Sequence, residues 1–278
     1  MITFPNAKIN LGLNIVERRT DGYHNIETIF YPVQWCDVLE IIPDPTTKHN
    51  DTVRFKNTGI KIFNNADQNL CLKAYHLLAD KYNLPAIKMH LHKIIPVGAG
   101  LGGGSADAAF VLLSLNKIFD LKMSEAELKT CSSMLGSDCS FFISNKPVFA
   151  SGKGDEFEDL KLDLKKYFIV LVKPKVRVGT AEAYSHVTPS KPVASLKELI
   201  KLPVDKWKGN INNDFEKTIF EKFAVIRNIK AKLYQQGAVY SSMSGSGSSV
   251  YGIFKEEKNL TSLFRNCIVW SGKLSIEN

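Results

Sequence analysis

The residues with the clearest chemistry lie in PVGAGLGGGSADAA, Pro96 to Ala109, where Gly98, Gly100, Gly102, Gly103 and Gly104 are separated only by Ala99 and Leu101. Glycine accepts positive φ and carries no Cβ, so successive backbone N–H groups in such a run can turn toward one anion. Ser105 and Ala106 follow and open what reads as a helix, whose first-turn N–H groups and dipole favour negative charge. The chemistry this combination offers is phosphate binding. Spacing excludes two common phosphate loops. No GxxxxGK[ST] occurs, and no strand ending in an acid follows roughly twenty residues on, as a dinucleotide fingerprint requires.

Three further groups could do chemistry. Lys8 lies in AKINLGL, where a period of two puts it on one face with Asn6, Asn10 and Gly12, either a solvated surface or the wall of a ligand site. Tyr23 and His24 leave the Asp21-Gly22 turn side by side, a place where a histidine is ordinarily a surface residue. Asp138, in LGSDCSFF, stands among apolar residues at the start of a short helical turn and reads as an N-cap, a role compatible with function. His90 and His92 alternate with Met89 and Leu91 on the polar face of a strand, without a nearby third ligand, which speaks against a metal pair.

The elements that must position these groups can be read in order. Ile2 to Val16 alternates as a strand, interrupted near Pro5 and Asn6, and TIFYPVQW, DVLEII and TVRFK read as further strands around a polar loop, PDPTTKHND. Asn69 to Tyr82 has helical spacing, and Ile87 onward is a strand. In the helix after the glycine run, Ser105 is placed as the cap and Val111, Leu112 and Leu115 form the apolar stripe. Ser124 with Glu127 is a capping box for a helix to about Leu135. PVFASGKGDEFEDL reads as a hairpin, YFIVLVKP as a buried strand and GTAEAYSHV as the start of a helix. Helices from Asp214 and on to Gln236, two strands around Gly245 and Gly247, and a final helix and strand complete the chain. The charged stretch from Asp159 to Lys166 is the candidate linker, giving expected domains 1–160 and 161–278.

The 278 residues, 44% of them hydrophobic, suffice for a substantial core. No apolar run is long enough to span a bilayer, and MITFPNAKIN lacks the basic and then apolar pattern of a signal peptide, so a cytoplasmic location and no membrane partner are expected. The five cysteines form no CxxC pair and suggest neither a disulfide framework nor a zinc site. The net charge of +8 is spread over scattered lysines without an arginine-rich tract; a small anionic substrate accounts for it, and no nucleic-acid partner is expected. The sequence leaves the oligomeric state open.

AKINLGL, DGYHNIET, the glycine run, LGSDCSFF, the NDFE at Asn213 to Glu216 and MSGSGSSVYGIF occur in one order along nearly the whole chain. Together they resemble the GHMP small-molecule kinases, and most closely the branch acting on a cytidine diphosphate derivative of a methylated erythritol. The DGYH hairpin with AKINL separates that branch from its relatives. The resemblance implies a two-domain α+β fold with a ferredoxin-like C-terminal domain, ATP as phosphoryl donor with Mg²⁺, and transfer to the C2 hydroxyl of the erythritol unit. It implies catalytic roles for Asp138 as base and for Lys8. It assigns the nucleotide to Pro96, Val97, Gly98, Ala99, Gly100, Leu101, Gly102, Gly103, Gly104, Ser105 and Ala106, with Lys93 and Asn69 approaching it. The substrate falls to Asn10, Tyr23, His24, Thr180 and Tyr184, with Tyr23 and His24 holding the cytosine. Ser248 after GSG departs from many relatives, and the metal ligands stay open.

Overall fold

A computed structural model describes residues 1–44, 53–62, 68–185 and 187–275. They form two compact units that interleave along the chain. The first takes Met1–Ala7, Trp35–Val97 and Gly102–Asn145, and the second takes Lys8–Gln34, Gly98–Leu101 and Lys146–Asn278.

In the first unit, strands β1 (Ile2–Thr3), β4 (Val38–Pro43), β5 (Val53–Gly59) and β6 (Ile87–Lys93) make a sheet in the order β1-β4-β6-β5. The β5–β6 pair is parallel, while β1–β4 and β4–β6 are antiparallel. The helices are α1 (Leu70–Tyr82), α2 (Gly103–Ile118), α3 (Glu125–Ser133) and α4 (Cys139–Ser144). Helix α2 packs on α1, α3 and α4, and its stripe of Val111, Leu112 and Leu115 is completely buried. Ser124 and Glu127 form the reciprocal capping box at α3. Most of the expected polar loop after Pro43 lies outside the described residues.

The second unit holds two sheets. Strands β2 (Asn6–Arg18), β3 (His24–Cys36), β7 (Val148–Ser151) and β8 (Glu156–Asp159) follow in that order, with β2 and β3 running on into the first unit at one end. The break expected near Pro5 falls at Phe4–Pro5, between β1 and β2.

The other sheet contains β9 (Phe168–Pro174), β10 (Tyr240–Met243), β11 (Val250–Phe254) and β12 (Cys267–Lys273), all antiparallel in the order β10-β11-β9-β12. Counted along the chain this is the fourth-first-third-second order of a ferredoxin-like sheet. Helices α5 (Thr180–Ser185), α6 (Leu196–Leu199), α7 (Phe215–Lys222) and α8 (Ala224–Gln235) connect β9 to β10. Ile226, Ile229 and Leu233 of α8 bury against a cluster that includes Val170, Val172, Met243, Val250 and Phe254. The final helix expected from sequence is not formed. Thr261 to Asn266 makes turns, and Phe264 within them and Leu260 just before them still reach the core. Two apolar anchors four residues apart mimic a helical stripe without requiring a helix.

Candidate active site

The glycine run is shaped by what its carbonyls do. In the second unit, the Ala99 carbonyl accepts from Ser249 N at 3.2 Å, that of Gly100 from Ser244 Oγ at 2.8 Å, and that of Leu101 from Lys8 N at 2.9 Å. In a trans peptide the N–H points opposite the C=O, so the amides of Gly100, Leu101 and Gly102 turn away from these partners together. Backbone N–H groups left free in this way are the donors from which an anion nest is built. Positive φ at Gly98, Gly100 and Gly102 permits the winding, and a Cβ on Gly100 would collide with the Ser244 carbonyl. Ala99, Leu101 and Ala106 are buried, as is Pro96, while Val97 is exposed. The buried members of the run therefore offer a ligand their backbone rather than their side chains.

Lys8 is not on a solvated face. It is 4% exposed, its Nζ donates to Asn10 Oδ1 at 2.7 Å, and it sits 4.3 Å from the centroid of the Phe30 ring. Asn10 Nδ2 donates to Thr28 Oγ1 at 2.9 Å, and the Thr28 hydroxyl in turn donates to the Gly12 carbonyl at 2.6 Å. This directional chain fixes the Asn10 amide so that its oxygen meets the ammonium. Asn10, expected beside the substrate, is buried, with both amide ends engaged.

The hairpin and α5 meet in the same unit. The His24 ring stacks on Tyr184 at 4.9 Å and 21°, and Tyr184 meets Phe215 edge-on at 4.8 Å. Tyr23 is 61% exposed. Burial, then the charge of Arg18, lowers the His24 pKa, keeping the ring neutral at neutral pH. Thr180 lies one helical turn before Tyr184, its hydroxyl 3.4 Å from that of Ser246.

In the first unit the helix start departs from expectation. Gly102, in the left-handed conformation, is the N-cap of α2 and supplies no side chain, so Ser105 lies inside the first turn instead of capping it. The N–H groups of Gly103, Gly104 and Ser105 have no intrahelical partner by geometry. A Cβ on Gly104 would meet only Leu70 Cδ1 at 4.0 Å, so the space above this turn is open. Asn69 caps α1, accepting from Cys71 N and Leu72 N, and its buried Nδ2 has no hydrogen-bond partner. An orphaned buried donor fits an acceptor on a ligand.

Lys93, expected to approach the nucleotide, is an ion-paired residue of the interior. It is 2% exposed and its Nζ pairs with Asp37 and, at 2.9 Å, with Asp107 of α2. Asp37 Oδ1 also accepts from Ile94 N and Ile95 N. A Cβ on Gly103 would lie 2.9 Å from the ammonium, which thus sits under the first residue of α2. Burial would lower the Lys93 pKa, but Asp107 and Asp37 outweigh it and raise it. Burial pushes Asp107 up to about 7 against the pull of Lys93. Lys93 shares strand parity with buried Ile87, Met89 and Leu91, which turns it inward. Asp138 occupies the N-cap position of α4 without a capping hydrogen bond from its side chain, so capping does not account for it.

Several supporting residues escaped the sequence reading. Asn213 Nδ2 donates to the carbonyls of Met243 and Gly245, and Glu216 Oε1 accepts from Met243 N, so NDFE holds the turn around Gly245. Ser244 Oγ accepts from Asn10 N while donating to Gly100, joining the Lys8 strand to the nest. The NDFE motif was visible; its target, some thirty residues on, was not. Among the described residues no group of three or more His, Cys, Asp or Glu side chains could hold a metal ion. No helix among them is long and apolar enough to cross a membrane.

Comparison with known proteins identifies the family. Residues 69–146 match the GHMP kinases N terminal domain, and residues 196–267 match the GHMP kinases C terminal model. A 4-diphosphocytidyl-2-C-methyl-D-erythritol kinase of Parabacteroides distasonis is 52% identical over 277 residues, covering 99% of this chain and 100% of that protein. The crystal structure of a 4-(cytidine 5'-diphospho)-2C-methyl-D-erythritol kinase superposes with a TM-score of 0.81 at 28% identity, covering 98% of each chain. A mevalonate kinase structure, at 15% identity and a TM-score of 0.67, shares the fold. The chain belongs to the GHMP kinases and, within them, to the family of 4-diphosphocytidyl-2-C-methyl-D-erythritol kinases.

Proposed function

We propose that this chain transfers the γ-phosphate of ATP to the C2 hydroxyl of 4-diphosphocytidyl-2-C-methyl-D-erythritol, giving the 2-phosphate and ADP in non-mevalonate isoprenoid precursor synthesis. The observation that carries it is the hydrogen bond from Lys8 N to the Leu101 carbonyl at 2.9 Å. It fixes the strand bearing the catalytic lysine directly to the nest suited to phosphate.

A tertiary alcohol is hindered, so the transfer depends on alignment, a proton acceptor and compensation of phosphate charge. The nest at Gly100 to Gly102 and the first turn of α2 hold phosphate oxygens, and the orphaned Asn69 amide takes an acceptor of the nucleotide. Lys8, aimed by Asn10 and Thr28, orients the hydroxyl. Asp138, assigned by the LGSDCSFF motif, receives its proton as the oxygen attacks the γ-phosphorus and the bond to the β-phosphate oxygen breaks. Mg²⁺ would supply further neutralisation of the phosphate charge, with the Ser105 hydroxyl in the first turn of α2 the side chain that would help hold it. The His24–Tyr184 stack and Tyr23 receive the cytosine, with Thr180 nearby. The halves 1–160 and 161–278 serve as ATP-binding and C-terminal domains, a division supported by the two family models falling on either side. The reaction takes place in the cytoplasm in this reading, without a nucleic-acid or membrane partner.

Phosphorus NMR of the product tests the proposal. A new monoester resonance coupled to the quaternary C2 centre, with the cytidine diphosphate intact, is the expected result. Phosphate on another hydroxyl would refute it.

A further inference from the structure

A cation outside the expected site lies against the glycine loop. Arg177, in the bend between β9 and α5, is exposed, yet its guanidinium is set beside Gly98: a Cβ on Gly98 would lie 3.4 Å from Arg177 Nε and 4.0 Å from Cζ. The guanidinium thus lies within van der Waals reach of the loop's entrance, where the backbone takes the positive φ of +63° that favours glycine. The bend is built. The Val176 carbonyl accepts from Ser248 Oγ at 2.6 Å and from Lys173 Nζ at 2.9 Å, and Lys173 also donates to the Pro174 carbonyl at 2.7 Å. Ser248 follows the Gly245–Gly247 turn, whose neighbours Ser244 and Ser249 hold the carbonyls of Gly100 and Ala99. One turn therefore fixes both the nest and the backbone from which Arg177 extends. Among the described residues no carboxylate pairs with Arg177, so its charge faces the loop without neutralisation.

We propose that Arg177 is a phosphate contact of the active site, its guanidinium positioned at Gly98 to bind a diphosphate oxygen. A planar guanidinium suits two oxygens of one phosphate, and a charge-assisted hydrogen bond is stronger than a neutral one. Two substrates of the proposed reaction carry a diphosphate, ATP and the cytidine derivative, and the inference rests on that reading of the site.

The test compares the wild type with Arg177→Gln and Arg177→Lys. The Michaelis constants for both substrates are measured, and each is also titrated calorimetrically without turnover. Arg177→Gln should weaken one of them on the order of tenfold or more, and Arg177→Lys should recover part of the loss. The melting temperature should stay unchanged, because the side chain is exposed. A loss confined to ATP assigns the contact to the nucleotide; one confined to the cytidine derivative assigns it to the acceptor. Affinities of both within about twofold of wild type, whatever happens to kcat, would overturn the inference and leave Arg177 a surface cation. A wild type that binds both yet transfers no phosphate would instead sink the functional reading, and the binding arms would still judge Arg177.

Discussion

Replacing Lys93 with methionine separates an anchor from a ligand contact. The ammonium is the described cation partner of Asp107, a carboxylate 2% exposed whose Oδ1 already lacks a hydrogen bond. Asp37 would keep the amides of Ile94 and Ile95, so Asp107 is the group left exposed to the full cost of burial. Breaking a buried pair from one side costs about 3–5 kcal/mol, a large part of the roughly 5–15 kcal/mol that holds a domain together. The sign with pH follows from Asp107. Its pKa in the folded chain is raised from 3.8 to about 7, so its cost is absent at low pH and grows as the pH rises through that window. Loss of Lys93 raises the pKa further. Urea unfolding of Lys93→Met, followed by circular dichroism, should show a deficit at pH 8 exceeding that at pH 5 by about 1 kcal/mol or more. Adding Asp107→Leu should restore much of the loss. A deficit independent of pH and not rescued by the second change would refute the reasoning. So would intact stability with ATP affinity lost, which would make Lys93 a direct nucleotide contact.

Asp138→Asn keeps the shape of the side chain but removes the proton acceptor, and turnover should fall on the order of 10²-fold or more, with the Michaelis constants changing less; near-normal turnover would remove Asp138 from the chemistry. Gly104→Val places a branched side chain in the open space above the first turn of α2 and should weaken ATP binding in a folded protein, read by calorimetry. The same change at Gly103 would strike Ile95 and Lys93, so an unfolded Gly103 variant would say nothing about ATP. His24→Ala should raise the Michaelis constant for the cytidine substrate while leaving that for ATP near normal, and should narrow the preference for cytidine over uridine analogues. Equal losses for both substrates would assign His24 to hairpin structure.

Local patterns carried much of the fold. The capping box at Ser124, the turn at Gly22 and the parity that groups Lys8 with Asn10 depend on residues a few positions apart, and all three appear in the structure. Capping of α2 was misread because Ser105 is a strong capping type. The helix nevertheless begins earlier, at a glycine whose positive φ winds the chain directly into the first turn. Parity could have shown that Lys93 faces inward, but its two acidic partners come from distant segments, Asp37 and α2. The same limit hid Thr28 behind Asn10 and Ser244 behind Gly100. Such pairs are set by which strands and turns become neighbours, and spacing along the chain does not encode that. The absent final helix shows the converse, since Leu260 and Phe264 reach the core from irregular chain and a turn.

If the glycine run and the Lys8 strand serve an alcohol presented by a cytidine diphosphate, the enzyme must discriminate among alcohols. The most direct measurement is kcat/KM for ATP-dependent phosphorylation of 4-diphosphocytidyl-2-C-methyl-D-erythritol, mevalonate and homoserine under one set of conditions. The cytidine substrate should be preferred over the other two on the order of 10⁴-fold, as for a site whose buried polar groups need the matching ligand. Comparable efficiency with mevalonate or homoserine, or phosphate transfer to either in preference to the cytidine substrate, would contradict the account.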